Sequence, residues 1–325
     1  MTDSTQRIKY AFLKIITGSS LSRRRIPFMS AESAKPGPVL WLTGCVHGDE
    51  VGGMVIIQEI FKKIRKTPLS SGTLCAFPLM NPIGFESASR NITMSKEDLN
   101  RSFPGNSSGS LAERMAAIIF SAIVKTGPSL VLDLHNDWMK SIPYTLIDPN
   151  PGTTGLQAHD RTMEISKKTG FITVRDTEEI RSALSYNLIQ QGIPALTIEL
   201  GESLVVNEKN VEYGVKSILN ILSFLKMIEP PGQDFSHPLS ARFRGEVLEF
   251  SDKPVSSTSG VIRFLARPGD LVMKGQPVAR IYNSFGKLQE TISSPGEAVV
   301  LGHSDSSVAF PGAPVMSFAN LTGRP

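Results

Sequence analysis

The stretch "PVLWLTGCVHGDEVGG", residues 38–53, runs from an unbroken apolar segment into a glycine-rich turn that carries an imidazole and two carboxylates. The apolar part reads as a strand buried on both faces. The next segment, "EVGGMVIIQEIFKKIRK" (50–66), repeats apolar residues at Met54, Ile57, Phe61 and Ile64, which is a helical stripe. A strand that turns directly into a helix is half of a βα unit. Gly44, Gly48, Gly52 and Gly53 suit so sharp a reversal. No turn, however, needs His47 and Glu50 three residues apart, in a chain with only five histidines.

Three further runs share the buried-strand character: "TLCAFPLMN" (73–81), "SLVLDLHN" (129–136) and "IPALTIELG" (193–201). Helical patterns separate and succeed them. "SLAERMAAIIFSAIVKTG" (110–127) opens on Ser110 with Glu113 at the capping-box position and stops at Gly127. "TEEIRSALSYNLIQQG" (177–192) and "NVEYGVKSILNILSFLKMI" (210–228) behave likewise. This alternation predicts an α/β domain with a mixed or largely parallel sheet flanked by helices. In such sheets the chemistry gathers beyond the carboxyl ends of the strands. His47, His135 and Glu199 all stand at such ends, and the coincidence carries more than any one of them.

The totals are those of a soluble globular protein: 325 residues, 40% hydrophobic and 20% charged. A formal charge of +4 is mildly basic, and no Lys/Arg tract interleaved with aromatics gathers it into a nucleic-acid footprint. The densest basic run, "SRRRIPF" (22–28), fits a solvated strand end or a patch for anionic substrates. Cys45 and Cys75 both lie in apolar runs and read as reduced core residues, not as a disulfide. No signal-peptide pattern or membrane-length apolar run is present, so the expectation is a cytoplasmic protein with no membrane partner.

After "EPPGQDF" (229–235) the composition changes to short β-like runs punctuated by Gly and Pro. The division predicted is a catalytic domain over 1–235 and a small all-β domain over 236–325. Within the second, "GVIRFLARPGDLVMKGQPVARIYN" (260–283) parallels "GEAVVLGHSDSSVAFPGAPVMSFAN" (296–320). Two such units predict a small sandwich with pseudo-twofold symmetry.

Two histidines and a glutamate are one of the standard sets that hold zinc while leaving a position open for water. His47 and Glu50 can aim at one ion from the turn, and His135 in "LDLHND" (132–137) can supply the third ligand from a distant strand end. Taken singly, each also fits a hydrogen-bonded turn or strand-end residue. The segment "NPIGFESASRNITMSKEDLNRSFPG" (81–105) is too long and polar for a routine connection, which points to a functional loop. It carries Arg90 and the pair Asn100–Arg101; an Arg fork suits a carboxylate and a neighbouring Asn adds donors.

In order along the chain, "GCVHGDE", "NPIGFESASRN", "DLNRSFPG", "LDLHND" and "IELG" resemble the succinylglutamate desuccinylase/aspartoacylase family, within the zinc carboxypeptidase-like fold. The resemblance implies one zinc ion held by His47, Glu50 and His135. It implies Glu199 as general base, Arg90 as the group that polarises the scissile carbonyl, and Asn100 and Arg101 as holders of a substrate carboxylate. Zinc is preferred over cobalt or manganese on ligand type and family, since affinity order alone does not decide it. Asp49, Asp133 and Asp137 are candidates to orient the histidines. Arg181 and Tyr186 are candidates to reach a substrate carboxylate or acyl oxygen.

The repeat at 260–320 resembles the barrel-sandwich of biotinyl and lipoyl carrier domains. Lys287, in "NSFGKLQETISSPG" (283–296), stands near the carrier lysine's place but lacks the flanking methionines or acidic residue, so an unmodified lysine is expected. The domain is expected to close over the site's mouth or to mediate homo-oligomerisation. Three functions are open: a zinc amidohydrolase acting on a small N-acyl amino acid, a zinc metallocarboxypeptidase acting on short peptides, and a non-catalytic binding or carrier protein. An intact base argues against the last, and a β domain crowding a peptide groove argues against the second.

Overall fold

The four runs read as buried strands lie side by side at the centre of one sheet. The computed structural model describes residues 6–17, 23–243 and 245–321; Ser22, which opens the basic run, lies outside them. In chain order the first elements are β1 (Ile8–Thr17), β2 (Arg23–Glu32), β3 (Val39–Gly44), α1 (Gly52–Lys66), β4 (Thr73–Phe77) and α2 (Pro82–Glu86). Next are a 3-10 turn (Leu99–Arg101), α3 (Leu111–Val124), β5 (Leu130–Asp137), β6 (Lys140–Ser141), β7 (Pro143–Ile147) and α4 (Leu156–Ser166). Then come β8 (Thr173–Arg175), α5 (Leu184–Gln190), β9 (Ala195–Glu202) and α6 (Glu208–Phe224). The remainder is all β: β10 (Val247–Ser251), β11 (Gly260–Phe264), β12 (Leu271–Val272), β13 (Pro277–Tyr282), β14 (Leu288–Ser293), β15 (Ala298–His303), β16 (Val308–Ala309) and β17 (Met316–Asn320).

The large sheet has the order β1-β2-β4-β3-β5-β9-β7-β8-β10-β17-β15-β12. Strands β4, β3, β5 and β9 run parallel, while β2 and β7 flank them antiparallel. Side chains alternate between two buried layers. Leu40, Leu42, Leu132 and Leu134 pack with α1 and α6 on one side. Trp41, Cys75, Phe77 and Val131 pack with α3 and α5 on the other. At about 1.5–3 kcal/mol for each large apolar side chain buried, the central strands supply much of the folding energy. The capping box at the start of α3 forms as its sequence predicts: the Ser110 side chain accepts from the Glu113 N–H and the Glu113 side chain from the Ser110 N–H.

The C-terminal repeat produces the expected symmetry. β11, β12 and β13 of the first unit correspond to β15, β16 and β17 of the second. Each unit lends its short middle strand to the other: β12 pairs with β15, and β16 pairs with β11. One sheet of the sandwich is the separate four-stranded β14-β13-β11-β16. The other is a continuation of the large sheet, joined where β10 lies parallel to β8 and antiparallel to β17. Lys287 is exposed in the turn between β13 and β14, where its N–H donates to the Asn283 side chain.

One local expectation changes. The helix expected over 177–192 forms only from Leu184, because its first half is held as a loop. The Asn100 side chain accepts from the Leu184 N–H at 2.9 Å, and Asn187 Nδ2 donates to the carbonyls of Phe103, Arg181 and Ala183. The long segment 81–105 is packed, with Ile92, Leu99 and Phe103 buried. Asn81 and Asp98 cap its two short helical turns.

Candidate metal centre

The turn after β3 is built by close backbone contact. A Cβ on Gly48 would lie 2.0 Å from the carbonyl carbon of Gly84, and one on Gly53 would lie 2.8 Å from Leu134 Cβ, so neither position accepts a side chain. Cys45 takes a left-handed conformation at φ 49°, a strained one for a residue with a Cβ. Burial, with Glu50 nearby, pushes its thiol up to about 12, so it stays protonated and serves as packing. The result is that His47 and Glu50 project inward, where β5 delivers His135.

Glu50 lies between the two imidazoles. Its Oε1 is 2.6 Å from His47 Nδ1, and its Oε2 is 2.9 Å from His135 Nδ1. The three residues are buried, and their ligand atoms all lie within 4.8 Å of one another. Each histidine's other nitrogen meets a carboxylate: His135 Nε2 is 3.0 Å from Asp133 Oδ2, and His47 Nε2 is 3.1 Å from Asp98 Oδ1. Outer carboxylates of this kind fix the ring orientation of metal-bound histidines. Thr43 Oγ1 donates to Asp133 at 2.6 Å, and Arg90 donates to Asp98 at 3.0 and 3.2 Å, so the supports are themselves held. Burial pushes the Glu50 carboxyl up, but His47 and His135 outweigh it and hold it well below the usual range. For His135, burial is outweighed by Asp133 and Glu50, and its pKa rises well above that of a free imidazole. A concentrated, buried set of two nitrogens and a carboxylate, each with an oriented second partner, is chemically suited to a divalent cation.

The same cavity, about 150 Å³, is lined by Arg90, Asn100, Arg101 and Glu199 as well as the three cluster residues. Glu199 is brought opposite His135 by the β5–β9 register. Burial raises its pKa well above the ordinary carboxylate value; His135 opposes this, while Asp137 and Glu50 add to it. Its Oε2 is buried without a hydrogen-bond partner among the described residues. Arg90 Nη1 also reaches Glu50 Oε1 at 3.5 Å. Arg101 donates to the Asn100 carbonyl and lines the same cavity.

Not every residue singled out from the sequence comes to this place. Arg181 and the Tyr186 hydroxyl both bond Glu179, with the Arg181 side chain 78% exposed, and neither lines the cavity. Of the three aspartates considered for orienting histidines, only Asp133 does so. Asp137 accepts from the Trp138 N–H and the Tyr144 hydroxyl, and Asp49 Oδ1 has no partner among the described residues. The support of His47 is Asp98, which sequence reasoning missed. Its signal was present in "DLNR", where an Asp opens a short turn: Asp98 Oδ1 both accepts from the Asn100 N–H and meets His47, while Oδ2 accepts from Arg90. Asn136, Asp148 and Asp176 were also missed; the Asn136 N–H donates to Glu50 at 3.1 Å. Among the described residues the C-terminal unit lines none of the cavity, but Asp305 accepts from the Met139 N–H and β15 pairs with β6, just beyond Asp137.

Comparison with known proteins gives a consistent result. Residues 36–225 match the model of the succinylglutamate desuccinylase/aspartoacylase catalytic domain. The chain is 25% identical to the N-alpha-acetyl-L-2,4-diaminobutyric acid deacetylase of Halomonas elongata, over 76% of this chain and 71% of that protein. The product-bound structure of the ectoine utilization protein EutE (DoeB) from Ruegeria pomeroyi superposes with a TM-score of 0.83 at 20% identity, covering 98% and 96% of the two chains. An aspartoacylase family protein from Mesorhizobium loti superposes with a TM-score of 0.80 at 20% identity, covering 100% and 98%.

Proposed function

The chain belongs to the succinylglutamate desuccinylase/aspartoacylase family, and on that premise we propose that it is a zinc-dependent amidohydrolase that deacylates small N-acyl amino acids. The observation that carries this reading is Glu50 clasped between two imidazole Nδ1 atoms in the same small cavity as Glu199, whose Oε2 is unpartnered among the described residues. His47, Glu50 and His135 hold the ion. Zinc, when bound there, supplies a Lewis acid that polarises the carbonyl and acidifies water.

The remaining work falls to the chain's own side chains. Glu199 takes the proton of the attacking water and delivers it to the departing amine. Its unpartnered Oε2 is free for that transfer. Arg90 offsets the negative charge that develops on the carbonyl oxygen. It is already steered by Asp98, so little reorganisation is needed. Arg101 holds the substrate carboxylate, while Asn100 shapes the rim by fixing the start of α5. Asp98 and Asp133 keep both rings turned toward the ion.

A cavity of about 150 Å³ suits a small substrate better than a peptide, which disfavours the carboxypeptidase reading. A non-catalytic binding role gives no reason to bury an unpaired carboxyl oxygen such as that of Glu199, whose burial is costly. Cytoplasmic residence belongs to the same reading, supported by Cys45 and Cys75 as buried free thiols. No helix among the described residues is long and apolar enough to cross a membrane. The test is a screen of N-acetyl, N-succinyl and N-formyl amino acids for release of free amine, with and without added zinc. Zinc-dependent release from at least one acyl series is the expected result, and none from any series would reject the proposal.

A further inference from the structure

The strand that carries Glu199 and the turn that carries Glu50 are joined by one buried amide, Asn136, which the proposed reaction does not use. The register of β5 with β9 slips just past the site: His135 pairs with Glu199, but Asp137 pairs with Glu202. Leu200 and Gly201 therefore share the place opposite Asn136, which makes a β-bulge directly after Glu199. Gly201 takes φ 79°, a left-handed conformation that glycine adopts without strain. A bulge of this kind interrupts the ladder, bends its strand and re-aims the neighbouring side chains.

The Asn136 side chain fills that interruption. Its Nδ2 donates to the carbonyls of Gly201 at 3.3 Å and Glu202 at 2.9 Å. Its Oδ1 accepts at 3.1 Å from the N–H of Gly52, the first residue of α1 and two beyond Glu50. Its own backbone N–H donates to Glu50 Oε2 at 3.1 Å. The side chain thus uses both its donors and its acceptor, and every partner is backbone. Aspartate lacks the donors and leucine lacks all three groups, so the arrangement specifies an amide. Gly52 belongs to the same fitting: a Cβ there would lie 2.9 Å from both Nδ2 and Oδ1 of Asn136. Glycine is a poor helix former, and here it leaves the room that the amide occupies.

Asn136, Glu50 and Glu199 line one cavity, and the bonds of Asn136 run to the backbone on either side of it. A fully bonded buried amide holds its partners in one arrangement. We propose that Asn136 is a positioning residue that clamps the end of β9 to the start of α1 and so sets the separation between Glu199 and Glu50. It acts through those two residues and through no charge of its own. This rests on the deacylase reading of the same cavity, in which Glu199 and Glu50 serve one reacting centre and small misplacements are costly.

Gly52→Ala and Asn136→Ala attack the clamp from opposite sides, one by evicting the amide and the other by removing it. Each is expected to lower zinc affinity by about 10-fold, read by competition with a chelator and so without turnover. At saturating zinc, each should lower kcat by about 10- to 100-fold on the N-acyl amino acid that the wild-type protein cleaves best, with KM changed by less than about threefold. The losses should not multiply in the double variant, because both substitutions act on one fitting. Ser110→Ala, which removes the cap of α3 and does not touch the cavity lining, is the control for plain destabilisation and should leave zinc affinity and kcat near wild type. Wild-type zinc affinity, or wild-type kcat, in Gly52→Ala overturns the clamp, and so do losses that multiply in the double variant. A wild-type protein that releases no amine from any acyl series, while both single variants lose zinc affinity, keeps the clamp and overturns the deacylase reading. Gly52→Ala leaves Asn136 in the chain, so the question is decided even if Asn136→Ala does not fold.

Discussion

Two walls of one cavity are built on opposite plans. Around His47, Glu50 and His135, nearly every polar atom has a partner, and the partners have partners: Thr43 on Asp133, Arg90 on Asp98, the Asn136 N–H on Glu50. Around Glu199, Asp148 and Asp176, carboxylates stand buried or half-buried with a bond missing or a charge unpaired. A saturated wall is rigid and holds an ion in a set geometry. An unsaturated wall is costly to fold and is kept where a proton or a substrate group is to be received. The difference separates what positions from what reacts.

The comparison can be broken in a definite order. Removing a member of the saturated trio should have the largest effect: His47→Ala or His135→Ala is expected to abolish both bound metal and measurable amide hydrolysis, as read by metal analysis and amine release. Undiminished metal in either variant would remove that residue from the ligand set. Next comes the unsaturated wall. Glu199→Gln should keep full metal content while turnover falls by about 10²–10⁴-fold, the usual contribution of a general base. Loss of metal in that variant would move Glu199 into the other wall and end the distinction.

Smaller effects sharpen it. Asp98→Asn should weaken metal affinity by about 10- to 100-fold, measured by competition with a chelator, because a second-tier partner orients its ligand and does not replace it. Unchanged affinity would mean that Asp98 serves only Arg90 and the turn it caps. The smallest effect belongs to Arg181, exposed and tied to Glu179. Arg181→Ala should change kcat/KM by less than about twofold, since exposed ion pairs contribute little. A larger loss would show that the loop before α5 swings Arg181 over the cavity during turnover.

The legible parts of the fold were those with strong periodicity or a strong local signal. The runs that became β3, β4, β5 and β9 are buried on both faces and so read as unbroken apolar stretches. The Ser110 cap and the β repeat at 260–320 are local in sequence and could be read there. The hairpin β1–β2 was not legible, because Tyr10 and Phe12 sit on its exposed face at 60% and 61% exposure and blur the usual alternation. Short strands such as β8, three residues long, give too few positions for any period to show. The half-length α5 was lost to a long-range bond from Asn100, which no local propensity contains.

By itself the sequence determined which chemical groups were available and at which strand ends: an imidazole and a carboxylate in one turn, a second imidazole near the end of β5, a glutamate on β9. Those follow from residue type and periodicity, which act over a few residues. Only the tertiary structure decided which groups meet. The parallel register set Asp148 beside Asp176, the loop 81–105 brought Asp98 under His47, and Glu179 held Arg181 away. Such pairings depend on strand order and crossover, and residues distant along the chain meet only once the backbone hydrogen bonds of the sheet have fixed the register.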